Sequence, residues 1–210
     1  SKFSEALNLF QNGNLNKTKN ICEEILKQES NNSQVYNLYA FTLHYLEKFD
    51  AAVEYWSKAI KINPNYIEAY NGRGNAFIKL QKFDEAIINF KQAIKINPNY
   101  FEAYNNLGSV FIKLQKFDEA IINFKQAIKI KPNYADAYNS MGATLNKLRQ
   151  WEEAINCYTK TLEINPNHQC RKLHISVFQH HIHETHQPVH PHHHLYHYLY
   201  LLDFLKMQNP

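Results

Sequence analysis

Proline returns every 34 residues along this chain, at Pro64, Pro98, Pro132 and Pro166. Tyr36, Tyr70, Tyr104 and Tyr138 keep the same step, and so do Ala52, Ala86, Ala120 and Ala154. Residues 77–100 (FIKLQKFDEAIINFKQAIKINPNY) and 111–134 differ only at Asn97 against Lys131. A fixed period of this length constrains the fold strongly. One unit is a single supersecondary element, too small to bury its own apolar face. Neighbouring copies must therefore stack and share a continuous core.

Each unit reads as two short helices. In residues 101–134 the first helix carries Tyr104, Leu107, Gly108 and Phe111, spaced to share one helical face. The second carries Phe117, Ala120, Phe124, Ala127 and Ile128, again on one face. Asp50, Asp84 and Asp118 fall in first turns, where an acid suits the positive helix end. Asn63, Asn97, Asn165 or Lys131 precedes each proline, which stops the second helix. Gly108 and Ala120 are small where helices must approach closely, and Tyr104 and Phe124 fill the space between units.

These residues resemble the tetratricopeptide repeat. Residues 101–134 match its pattern through Tyr104, Leu107, Gly108, Phe111, Ala120, Phe124 and Pro132. Residues 67–100 match with Arg73 in place of the Leu. Residues 135–168 match with Met141, Gly142, Leu145, Ala154, Tyr158 and Pro166, and 33–66 with Tyr39, Ala40, Leu43, Ala52, Trp56 and Pro64. Residues 1–32 fit as a degenerate or truncated unit: Ala6, Leu9, Leu15, Cys22 and Ile25 are in register, but Thr18 replaces the Ala and Ser30 the Pro. The resemblance implies an all-α, right-handed superhelical solenoid of antiparallel helix pairs, with first helices lining a concave groove. It also implies protein or peptide binding; fold by itself does not fix function.

Composition narrows the function. Lys plus Arg is 23 and Asp plus Glu is 19, a net charge of +4, too mild and too evenly spread for a nucleic-acid binder. No apolar run reaches the ~18 residues of a membrane span. Cys22, Cys157 and Cys170 form no CxxC pair, which fits a reducing compartment and a cytoplasmic location. Cys22 and Cys157 read as buried structural thiols. There is no phosphate-binding loop, no GxSxG and no HExxH, so neither catalysis nor a cofactor is expected. Glu68, Glu102 and Asp136 recur at the repeat step, marking a repeated surface rather than an acid–base pair.

The other face of each first helix carries the candidate site. Asn37, Asn71, Asn105 and Asn139 recur there, one per unit. Each amide has donors and an acceptor with which to bond the backbone of an extended peptide. Phe41, Asn75, Ile78, Ser109 and Ile112 complete the expected groove. The pattern resembles the asparagine ladder of O-linked GlcNAc transferase repeats, which sits one position later, where only Asn106 is Asn here. A clamp for a C-terminal carboxylate, as in chaperone-binding arrays, is not expected. Asn75 and Asn106 match its Asn rungs, but no Lys or Arg stands at its cationic positions. Lys79, Lys113 and Lys147 close the first helices, where a cation suits the negative helix end; a role toward acidic ligand side chains is the second reading.

After His168 the register is lost and 10 of the 12 His appear. Residues 169–194 read as a His-rich low-complexity tail, and 195–210 as a terminal or capping helix. Three readings compete for the tail: a solvated segment, a weak metal-binding tract, and a non-native extension. His181, His183 and His186, like His190, His192 and His194, are closely spaced, but nothing holds them rigidly, so no defined metal site is expected. The expected function is a non-catalytic scaffold binding a protein or extended peptide. The alternative is the substrate-recognition arm of a larger enzyme, such as a glycosyltransferase with the same repeats. The partner's identity and the oligomeric state do not follow from the sequence.

Overall fold

The computed structural model describes residues 1–169 and 176–177. Among these there are ten helices in five pairs and no strand. The pairs are α1 (Lys2–Gln11) with α2 (Leu15–Gln28), α3 (Ser33–Tyr45) with α4 (Phe49–Ile62), and α5 (Ile67–Lys79) with α6 (Phe83–Ile96). Then follow α7 (Phe101–Lys113) with α8 (Phe117–Ile130), and α9 (Ala135–Lys147) with α10 (Trp151–Ile164). Each helix packs on the next one along the chain, and the pairs stack in sequence order. The expected all-α solenoid of antiparallel helix pairs is therefore the fold.

The turn inside each unit is a repeated cap. Glu47, Gln81, Gln115 and Arg149 each adopt a left-handed conformation, φ 58–59°. In the second full unit Lys82 N–H donates to Phe77 O at 2.8 Å and Gln81 N–H to Ile78 O at 3.0 Å. That paired pattern is a Schellman motif, which satisfies the last carbonyls of the first helix. Gly13, φ 75°, lies in register with these four residues and closes α1 with the same two bonds. The first 32 residues thus fold as a pair of the same kind. Thr18, at the alanine position, is fully buried there with its hydroxyl donating to Asn14 O at 3.0 Å.

The turn between units explains the Asn-Pro-Asn sequences. Asn97 Oδ1 accepts from Asn99 N–H at 2.9 Å, and Asn63 and Asn165 make the same bond to Asn65 and Asn167 at 3.2 Å. The side chain reaches past the proline, which has no N–H to offer. Lys131 cannot do this; its ammonium instead lies 4.3 Å from the centre of the Phe101 ring.

The core runs the length of the array. Ala52, Ala86, Ala120 and Ala154 are fully buried, as are the rings of Trp56, Phe90, Phe124 and Tyr158. A Cβ added at Gly108 would stand 2.7 Å from the Phe124 ring, so this crossing tolerates no side chain without displacement. Beyond the last pair, Ser176 and Val177 are helical, and Val177 is buried with Leu145, Ile155 and Tyr158. The rest of the His-rich tail, the two histidine triplets and the expected helix at 195–210 lie outside the described residues.

Candidate functional site

Successive first helices touch one another: α1 with α3, α3 with α5, α5 with α7, and α7 with α9. No two successive second helices pack comparably among the described residues. An array whose first helices lie closer together than its second helices curves toward the first. The face built by α3, α5, α7 and α9 is therefore the inner one, and it carries the four-rung asparagine row.

The rungs are not equivalent. Asn37 Oδ1 accepts from the Trp56 indole N–H at 3.0 Å. Asn71 Oδ1 accepts from Asn106 Nδ2 at 2.9 Å, which ties α5 to α7. The two remaining rungs differ: Oδ1 of Asn105 and Oδ1 of Asn139 are buried with no hydrogen-bond partner among the described residues. Asn105 is only 9% exposed. The wheel angle that separates it from the core face places it beside the neighbouring unit rather than in open solvent. Ser109 Oγ donates to the Asn105 carbonyl at 3.0 Å. Phe41 meets the Trp56 ring edge-on, and Asn75, Ile78, Ser109 and Ile112 are half-buried on the same series of helices.

A row of tyrosines, unlike the carboxylates beside it, was not read from the sequence. Tyr66, Tyr100 and Tyr134 immediately precede α5, α7 and α9, and Glu68, Glu102 and Asp136 stand in the first turns of those helices. Burial pushes the Tyr134 phenol up to about 12, with the carboxylates of Asp136 and Glu102 adding to the shift. Tyr100 is raised in the same way by burial, then by Glu102 and Glu68. Tyr100 and Tyr134 are thus each close to the acids of two successive units, whereas Tyr66 has Glu68 alone, since the preceding unit carries Gln34 at that position. The signal was present in the 34-residue step of these tyrosines. At the first rung Asn31, Gln34, Asn63, Asn65, Tyr66 and Glu68 line an open polar cleft of about 430 Å³.

The opposite ends of α5, α7 and α9 carry Lys79, Lys113 and Lys147 as their last residues. Cys22 and Cys157 are buried free thiols, and burial raises each to about 12, so neither is a thiolate nucleophile near neutral pH. The described residues hold no group of three or more metal-ligating side chains and no helix long and apolar enough to cross a membrane.

Paired helices in register, a shared core and an inner face of first helices define a helix-pair repeat solenoid. The family profile described as TPR repeat matches residues 42–81, 74–115 and 108–149, and the profile described as tetratricopeptide repeat matches 135–168. The chain belongs to the tetratricopeptide repeat family. Comparison with curated proteins returns no match. Among solved structures, MamA is similar at 25% identity and TM-score 0.68, covering 77% of this chain and 94% of MamA. TTC0263, a thermophilic TPR protein of Thermus thermophilus, is similar at 20% identity and TM-score 0.71, covering 85% of this chain and 97% of its own. YrrB, described as a TPR protein with an unusual peptide-binding site, is similar at 22% identity and TM-score 0.64, covering 83% and 90%.

Proposed function

We propose that this protein is a non-catalytic scaffold that holds an extended peptide segment of a partner protein along the inner face of α3, α5, α7 and α9. The observation that carries the reading is the pair of unmet acceptors, Asn105 Oδ1 and Asn139 Oδ1, one repeat apart on that face. A buried acceptor without a donor costs about 1–3 kcal/mol, and a rotation of either amide that opens its acceptor to the N–H of a docked backbone relieves that cost. Asn37 on α3 and Asn71 and Asn75 on α5 offer amide donors further along the same face; Phe41, Ile78, Ser109 and Ile112 supply the contacts between rungs. YrrB, a peptide-binding relative in fold, supports the same use of the array. The buried free thiols Cys22 and Cys157 support a reducing, cytoplasmic setting.

The test begins with affinity capture by the full chain and mapping of the captured partner to a peptide. Asn105→Ala combined with Asn139→Ala should weaken that peptide about 5- to 100-fold, since each lost hydrogen bond is worth about 0.5–1.5 kcal/mol. Circular dichroism must show unchanged helicity. Unchanged affinity in the folded double variant moves the contact to the outer helices and sinks the proposal.

A further inference from the structure

Two rows of opposite charge border the inner face. Glu68, Glu102 and Asp136 lie in the first turns of α5, α7 and α9, and Lys79, Lys113 and Lys147 are the last residues of the same helices. Lys79 follows Glu68 by eleven residues, a spacing kept in the next two units. At the rise of an α-helix that places the rows about 16 Å apart, and the helical turn brings them within ~20° of one line. Ser109, and the Asn105 amide with its unmet acceptor, lie between the rows on α7.

The simplest role for these charges is to suit the helix ends. A helix end carries only about half an elementary charge, so each carboxylate and each ammonium leaves roughly half its charge uncompensated. Glu68, Glu102, Lys79 and Lys113 form no ion pair among the described residues. Asp136 faces His168 at 3.6 Å, and Lys147 lies 5.8 Å from the centre of the Phe117 ring. The inner face is thus negative along one rim and positive along the other, with polar amides on its floor.

An extended strand resting its backbone on those amides sends alternate side chains to opposite sides. We infer that the partner segment is an extended strand of alternating charge, its cationic side chains toward Glu68, Glu102 and Asp136 and its anionic ones toward Lys79, Lys113 and Lys147. This rests on the inner face being the binding face. The cleft of about 430 Å³ beside Tyr66 and Glu68, with Glu68 its one charged lining residue, receives a cationic side chain at the first rung.

Two fluorescein-labelled dodecapeptides of identical composition test the inference by anisotropy against the full chain. One alternates Lys-Glu; the other repeats Lys-Lys-Glu-Glu, which puts both signs on each flank when extended. The alternating peptide should bind about three- to tenfold more tightly at low salt. The preference should vanish in the quadruple variant Glu68→Gln, Glu102→Gln, Lys79→Gln, Lys113→Gln, and in about 0.5 M salt. Equal binding of the two isomers, no binding of either, or a preference that survives the quadruple variant overturns it. If the isomers bind alike while Asn105→Ala with Asn139→Ala still weakens the captured peptide, the charge rows fail and the groove stands. If the asparagine variant is also without effect, the groove itself fails.

Discussion

The backbone of Gly72 lies against the indole of Trp56, so close that a Cβ at 72 would stand 2.5 Å from Cζ2. Equivalent positions in the other full units carry Leu38, Asn106 and Ser140, and the preceding units set Cys22, Phe90 and Phe124 against them, nothing larger than Phe. The larger indole of one unit is accommodated by the missing side chain of the next. Gly72→Ala should therefore overpack this junction and cost about 1–3 kcal/mol. Trp56→Phe in the Gly72→Ala background should recover part of that loss. Urea denaturation of the parent, the single variants and the pair measures the coupling; independent effects would refute the contact.

Arg73 stands where the repeat pattern has Leu. Its Nε donates to Asn89 Oδ1 at 2.8 Å and its Nη1 to Ser57 Oγ at 2.9 Å, joining α5 to both neighbouring second helices. No carboxylate pairs with it among the described residues. Burial lowers its pKa, which marks a cation held at a desolvation cost. Arg73→Leu made together with Asn89→Leu should be neutral or stabilising, because no buried amide acceptor is then left without its donor. Asn89→Leu alone, with the guanidinium left in place, should destabilise by about 1–3 kcal/mol. Thermal melts should fall for Asn89→Leu and should rise or stay unchanged for the double variant.

His44 sits among Phe49, Trp56 and Tyr45, with Nδ1 buried and unpartnered among the described residues. Burial first, and then the charge of Lys79, lower its pKa below 6.5. The unfolded chain accordingly takes up this proton at higher pH than the folded chain does. The stability linked to neutral His44 is complete above about pH 6.5 and is lost as pH falls through the folded value. His44→Ile, the residue found at the matching positions 78 and 112, should remove this contribution. Denaturation midpoints at pH 8 and pH 5 should show a smaller acid loss in the variant than in the parent. Parallel curves would exclude the effect.

The helix pairs were legible because period and angle are both written in the chain: a proline stops each second helix, and the alanines and aromatics mark the crossing. The state of the asparagine rungs was not. A wheel angle reports the direction of Asn37 and Asn71 but not what the next element sets against them, here Trp56 and Asn106. The same blindness hid Gly72, whose reason lies in the preceding unit. The first pair was obscured by Thr18 and Ser30, although Gly13 already stood in register with the four later turns. Tyrosines before the first helices were visible as a period, yet their company of carboxylates depends on how the units stack.

Helices α6 and α8 have the same fourteen-residue sequence, FDEAIINFKQAIKI. The side chains they offer to α5, α7 and α9 are identical, so chemical complementarity cannot tell a first helix which of the two to join. The short turn that tethers each pair makes that choice by proximity, since closing a small loop costs less entropy than closing one a whole unit longer. A chain in which α5 skips to α8 would loop out α6 and α7 while burying a native-like interface. Such a shifted state is a near-degenerate competitor on the folding landscape. Chain connectivity, rather than side-chain specificity, therefore keeps the central units in order.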